Sequence, residues 1–310
     1  MGDGALVPEV LGMIEDVIVV GGGPAGAACA LWAHQLGLRV LLIEAGSAMG
    51  GLQRRSPYVN RWLPGLPGRT GQEVAASLQS HLESAAVPHL LDFTVTTIRR
   101  GADHAAWEVS DGRVTHVAHH VVIATGSRPR HGGFVDTDRV GIGPGMAMER
   151  LAVAGRRVAI LGGGDNAFDQ ATFALQRGAC VVDLYCRRAP GAQPLLQRQV
   201  DPHRVHVGPF HADAASMTVN GTPYDVFGIQ FGFEACIPGG LRLPSNDGYV
   251  VVDRRGAVQG FPGLFAAGEV TNYWQPCVTT SYAHGVQVAK SIQNGLRRSG
   301  AATPMLADAA

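Results

Sequence analysis

The chain has 310 residues, 46% of them hydrophobic, which is enough for two domains of ordinary size with a core each. Its 25 basic and 25 acidic side chains cancel and Lys290 is the only lysine, so neither nucleic acid nor an anionic membrane surface is an expected partner. No apolar stretch reaches membrane-spanning length, and Met1 to Gly12 lacks the charged region and apolar core of a signal peptide, so a cytoplasmic protein is expected.

The first element is an apolar strand, Asp16 to Val20, running into Gly21-Gly22-Gly23-Pro24-Ala25-Gly26 and a helix from Ala27 to Leu36. The turn fits G-x-G-x-x-G. Gly21 permits the tight turn, Gly23 lets backbone N–H groups approach a pyrophosphate, and Gly26 lets the helix pack closely on its strand. A phosphate would then meet the unpaired N–H groups and positive dipole end of the helix. The next strand, Arg39 to Glu44, ends in a carboxylate placed to accept from the hydroxyls of an adenosine ribose, which predicts a free 2′-hydroxyl, as in FAD or NAD.

Gly50-Gly51-Leu52-Gln53 reads as a flexible crossing, Tyr58 to Gly68 as an irregular loop, and Gly71 to Ala86 as a helix. Three strands follow as a β-meander: Leu90 to Ile98, Trp107 to Ser110, and Val114 to Ala124, the last leading into Thr125-Gly126-Ser127. A second strand and glycine turn come next, Arg157 to Leu161 and then Gly162-Gly163-Gly164-Asp165-Asn166-Ala167. Its matching strand, Cys180 to Cys186, ends in Arg187-Arg188 where the first unit has Glu44. Two guanidiniums there suit a 2′-phosphate and point to NADPH, the alternative being a solvated pair of surface charges. A strand-rich region reaches Val252, Phe265-Ala266-Ala267-Gly268-Glu269 leads into a helix ending near Leu296, and Ser299 to Ala310 is expected to be a mobile tail.

The five cysteines are an odd number with no C-x-x-C among them, which argues against a disulfide framework and a zinc site. Cys29 and Cys180 lie in apolar stretches and are expected to be buried. His203, His206 and His211 have loose ligand-like spacing, but no cysteine or carboxylate pattern completes it, so no metal is expected.

The first glycine turn, Ala124-Thr125-Gly126, the second glycine turn and Phe265-Ala266-Ala267-Gly268-Glu269, in that order, resemble the low-molecular-weight thioredoxin-reductase-like flavoproteins of the pyridine nucleotide-disulfide oxidoreductase group. The resemblance implies an α/β protein of two Rossmann-like three-layer ββα nucleotide-binding domains, the second inserted in the first. The FAD domain would comprise 14–127 and 241–298, the NAD(P) domain 128–240, and the protein would be a homodimer. For FAD it implies Gly21, Gly23, Pro24, Ala25 and Gly26 at the pyrophosphate, Glu44 at the ribose, and the Val95 peptide facing the adenine. Gly51, Gln53, Thr125 and Gly126 would lie near the cofactor, Gly268 and Glu269 at the ribityl chain, and Cys277 and Val278 at the flavin edge. For NADPH it implies Gly162, Gly164, Asp165, Asn166, Ala167, Arg187 and Arg188.

The departures from that pattern bear on function. Gly145 and Met148 stand where disulfide-reducing members carry their C-x-x-C, and a third arginine after the Arg187-Arg188 pair is missing. Glu269 replaces an aspartate, and the stretch from Arg188 to Tyr249 is short for the family. Three readings are open at this level. One is an NADPH-dependent flavoenzyme passing electrons to a protein carrier or small acceptor. The second is a flavin-dependent oxidase or other redox enzyme acting directly on a small molecule, with a weakened nucleotide site. The third is a non-catalytic FAD-binding protein. Trp274, Cys277 and His284 are the candidates for a direct part in chemistry, Cys277 as a single redox thiol near a helix N-terminus and His284 as a proton donor.

Overall fold

The computed structural model describes residues 9–10, 14–102 and 104–298, so the tail expected over 299–310 lies outside it. The described residues divide into two compact units, one made of those within 1–54, 59–127 and 235–298, the other of 55–58 and 128–234.

In the first unit the strands His89–Leu90, Val40–Ile43, Glu15–Val20 and Val114–Ile123 lie side by side in parallel, and Leu264–Ala266 also pairs with Val114–Ile123. These strands are buried on both faces and read as continuous apolar runs, as parallel strands do. Val17, Val19, Leu42 and Val122 pack under the helices, while Ile18, Val20, Ile43, Val121 and Ile123 face the other way. Helices Pro24–Gln35 and Val278–Arg298 approach so closely that a Cβ on Gly285 would run into the Ala25 carbonyl oxygen. The third layer is the antiparallel meander Thr97–Arg100, Trp107–Ser110 and the first half of Val114–Ile123. Buried Trp107 anchors it, donating its indole N–H to the Pro262 carbonyl at 3.1 Å.

Two boundaries differ from the sequence reading. Leu90 to Ile98 is not one strand but two short pieces, His89–Leu90 and Thr97–Arg100. Asp92 turns left-handed at φ 54°, and Asp92 and Phe93 donate their N–H groups to Gly46 and Glu44, folding the chain over the end of the Val40–Ile43 strand. The chain also re-enters the first unit at Ala235, ahead of 241. Gly239 bridges to Thr97 and accepts from the Ile98 N–H, which ties this segment to the edge of the meander.

The second unit is a five-stranded parallel sheet in the order Val205–Val207, Val181–Cys186, Arg157–Leu161, Val226–Ile229, Val140–Ile142. Helix Asp165–Gln176 covers one face through Ala167, Phe168, Ala171 and Ala174. On the other face lies a buried polar knot: the Tyr224 hydroxyl donates to Asp183 at 2.8 Å, with Arg204 at 3.4 Å and His206 at 3.3 Å from the same carboxylate. Cys180 is exposed rather than buried, because it precedes the strand and hydrogen-bonds from its N–H to the Arg156 carbonyl just before the strands begin. Cys29 is buried, which pushes its thiol up to about 12. No helix among the described residues is long and apolar enough to cross a membrane.

Candidate functional site

The strand Glu15–Val20 delivers the first glycine turn to the rim of a cleft. Gly21 has φ 106°, and a Cβ there would collide with the Ala124 carbonyl, so glycine alone lets the two strand ends sit side by side. A Cβ on Gly26 would run into the Gly21 carbonyl oxygen, so Gly26 serves helix–strand packing and does not line the cleft. Gly23 has the opposite surroundings: a Cβ would meet nothing closer than the Gly51 Cα at 3.8 Å. Gly126, on the far side, has no atom within 4 Å of that position. Both open onto the cleft. Helix Pro24–Gln35 begins there with Pro24 in its first turn and no side chain capping its N–H groups, which leaves them for an anion.

Two carboxylates face the same cleft, Glu44 and Glu269. Glu44 is fixed at both oxygens, Oε2 accepting the Gly22 N–H at 2.6 Å and Oε1 the Gly46 N–H at 2.8 Å. An ionised carboxylate has about four acceptor sites, so each oxygen retains one for a ribose hydroxyl. Glu269 accepts the Ser127 hydroxyl at 3.0 Å, a contact that ties down the methylene by which glutamate exceeds aspartate. Pro24, Ala25, Gly51, Gln53, Thr125 and Val278 complete the expected lining. Leu52, Ala124, Ser127 and Ser281 line it as well. Ser281 was legible in principle, since it stands one helical turn after Val278.

Val95, Gly268 and Cys277 do not line this cleft. Val95 is half-buried against the outer face of the sheet. Gly268 donates its N–H to His284 Nδ1 at 3.2 Å. Cys277 sits just before the helix Val278–Arg298, its Sγ accepting the Thr280 N–H at 3.4 Å in the manner of a capping group. His284 is buried, and that burial lowers its pKa to about 4, so it is neutral at pH 7. With Nδ1 accepting, the hydrogen-bond network assigns the proton to Nε2, which has no partner among the described residues. His284 and Trp274 line a small cavity that shares Glu269 and Ser281 with the cleft.

The second glycine turn repeats the first. A Cβ on Gly162 would strike the Gln230 carbonyl, whereas Gly164 has open space on its Cβ side and starts helix Asp165–Gln176 without a side-chain cap. Ala167 is fully buried under the helix, in the packing role of Gly26. Asp165 accepts from the Gln193 N–H at 2.7 Å, and Asn166 is exposed beside it. Arg187 and Arg188 are both exposed past the end of strand Val181–Cys186. Among the described residues no group of His, Cys, Asp and Glu has the arrangement to hold a metal ion.

A family model described as pyridine nucleotide-disulphide oxidoreductase matches residues 15–205. The thioredoxin reductase of Listeria monocytogenes is 27% identical over 281 residues, 83% of this chain and 86% of that protein. A ferredoxin–NADP reductase of Streptococcus pneumoniae is 31% identical over 170 residues, 52% of this chain and 51% of that one. Among solved structures, Lactococcus lactis thioredoxin reductase matches 92% of this chain and 99% of its own with a TM-score of 0.77 at 20% identity. The bacillithiol disulfide reductase Bdr of Bacillus cereus matches 91% of this chain and 100% of its own with a TM-score of 0.71 at 16% identity, a likeness of fold.

Proposed function

The chain belongs to the pyridine nucleotide-disulphide oxidoreductase family and is an FAD- and NADPH-dependent oxidoreductase; we propose that it passes electrons from NADPH to a protein carrier or small acceptor without a dithiol relay. The cleft of the first unit fits FAD. Its uncapped helix N-terminus and the open sides of Gly23 and Gly126 leave room and N–H donors for the pyrophosphate. Glu44 would hold the adenosine ribose, Glu269 with Ser127 the ribityl end, and Val278 and Ser281 the flavin edge. When bound, FAD supplies a two-electron centre that takes hydride from a nicotinamide and releases electrons onward. The protein's part is to bind and orient it, and to keep His284 neutral beside the Gly268 turn.

The observation that carries the missing relay is the use made of the two relay positions. Met148 is 0% exposed, a core side chain packed where strand Val226–Ile229 carries Gly228, and Gly145 adopts φ 76° ahead of the short helix Met146–Glu149. Neither place carries a thiol, so thiol–disulfide exchange at that position has no nucleophile. The similarity to ferredoxin–NADP reductases supports a protein electron carrier as acceptor, and the family resemblance carries with it the expectation of a homodimer. A second reading, direct oxidation or reduction of a small molecule, draws on Trp274, which is 52% exposed at the small cavity next to the cleft.

Anaerobic rapid mixing of the yellow protein with NADPH and, separately, NADH tests the proposal. Fast bleaching by NADPH is expected. No bleaching by either nucleotide, with FAD bound, would shift the assignment to the second reading.

A further inference from the structure

Strand Val181–Cys186 ends without the carboxylate that Glu44 supplies in the first unit, so no acceptor for a free 2′-hydroxyl stands there. The segment that follows arches against the second glycine turn, since the N–H groups of Gly191 and Ala192 both point to the Gly163 carbonyl, at 2.9 and 3.2 Å. Arg187 opens that segment. Its guanidinium carbon lies 5.7 Å from the Phe210 ring centroid and 5.5 Å from that of Phe231, within the reach of a cation–π contact.

Both rings are themselves held. Phe210 leans on the Tyr185 ring at 5.7 Å and Phe231 on the Phe134 ring at 6.2 Å, and all pack against one buried cluster of the second unit. Arg187 makes no ion pair or hydrogen bond among the described residues, so its guanidinium sits over the two rings with its N–H donors uncommitted there. An arginine on a bare surface loses much of its rotamer freedom when it grips an anion, and one already held loses less.

We propose that Phe210 and Phe231 are specificity-determining residues that hold Arg187 beside the second glycine turn, poised for the 2′-phosphate of an NADP-type nucleotide. The proposal rests on the NADPH reading above and explains how the chain dispenses with the third arginine missing after Arg188: one guanidinium fixed in advance stands in for an additional mobile one.

The test is calorimetric titration of the FAD-loaded protein with 2′,5′-ADP and 5′-AMP, which differ only in the 2′-phosphate. The proteins are the wild type, Phe210→Leu, Phe231→Leu, the double variant and Arg187→Lys. The wild type is expected to prefer 2′,5′-ADP. Each leucine is expected to reduce that preference about two- to fivefold with 5′-AMP affinity unchanged. Arg187→Lys, which keeps the charge but loses the planar guanidinium and leaves Phe210 and Phe231 unaltered, is expected to reduce it too even if a leucine variant misfolds. A folded double variant, or Arg187→Lys, that kept the full preference would overturn the aromatic clamp while leaving the NADPH reading intact. A wild type indifferent to the 2′-phosphate would overturn both.

Discussion

Gly26 has no room to change. Its missing Cβ is the space taken by the Gly21 carbonyl oxygen, so Gly26→Ala must push helix Pro24–Gln35 off its strand. Overpacking of this kind costs about 1–3 kcal/mol, and it displaces the N–H groups proposed to bind the pyrophosphate. We expect Gly26→Ala to be purified with little FAD and to melt earlier; a variant with wild-type yellow colour and melting temperature would contradict the packing role. His284 carries a pH signature. Burial lowers its folded-state pKa to about 4, against about 6.5 in the unfolded chain. As pH falls from about 6.5 towards 4 the unfolded chain takes up a proton that the folded protein refuses, so stability drops through that window, by about 2–4 kcal/mol in all, and levels off below it. Urea denaturation at several pH values should show this slope in the wild type and a flatter one in His284→Asn; equal slopes would mean that His284 is not held neutral.

At the scale of elements, the Asp183 knot joins strand Val181–Cys186 to the segments bearing Arg204, His206 and Tyr224. Burial by itself would raise the Asp183 carboxyl, but hydrogen bonds from Tyr224, His206 and Arg204 outweigh it and hold the pKa below the ordinary value. The stability this gives is present above the unfolded value near 3.9 and is lost as pH falls through the lower folded value. Tyr224→Phe removes one charge-assisted donor and should cost about 1.5–3 kcal/mol at pH 7, a deficit that shrinks in acid. A deficit independent of pH would point to lost packing instead. The elements that sequence displays best are those set by local chemistry. The two glycine turns, and Glu44 at the end of the strand after the first, are legible because tight turns and charge admit few residue types. What escapes depends on contacts distant in sequence: the break at Asp92, the pairing of Gly239 with Thr97, and the Ser127–Glu269 bond. The exposure of Cys180 was missed because its apolar neighbours belong to a strand that starts one residue later.

For the whole molecule, the two places that the family resemblance assigns to relay cysteines are occupied by residues that the fold uses. Gly145 is left-handed, and a side chain there would meet the Arg55 carbonyl, while Met148 fills the core of the second unit. The double variant Gly145→Cys/Met148→Cys is therefore expected to lose stability, about 1–3 kcal/mol from the truncated Met148 alone, and to gain no NADPH-dependent reduction of an aromatic disulfide. Robust disulfide turnover by that variant would show the relay site to be dormant and not dismantled. The central claim is an FAD enzyme with no second two-electron centre in thiols, and counting electrons tests it most directly. Anaerobic titration of the purified protein with dithionite, followed at the flavin absorbance, should reach full reduction at about two electrons per FAD. An endpoint of about four electrons per FAD would reveal a redox-active thiol pair and contradict the account.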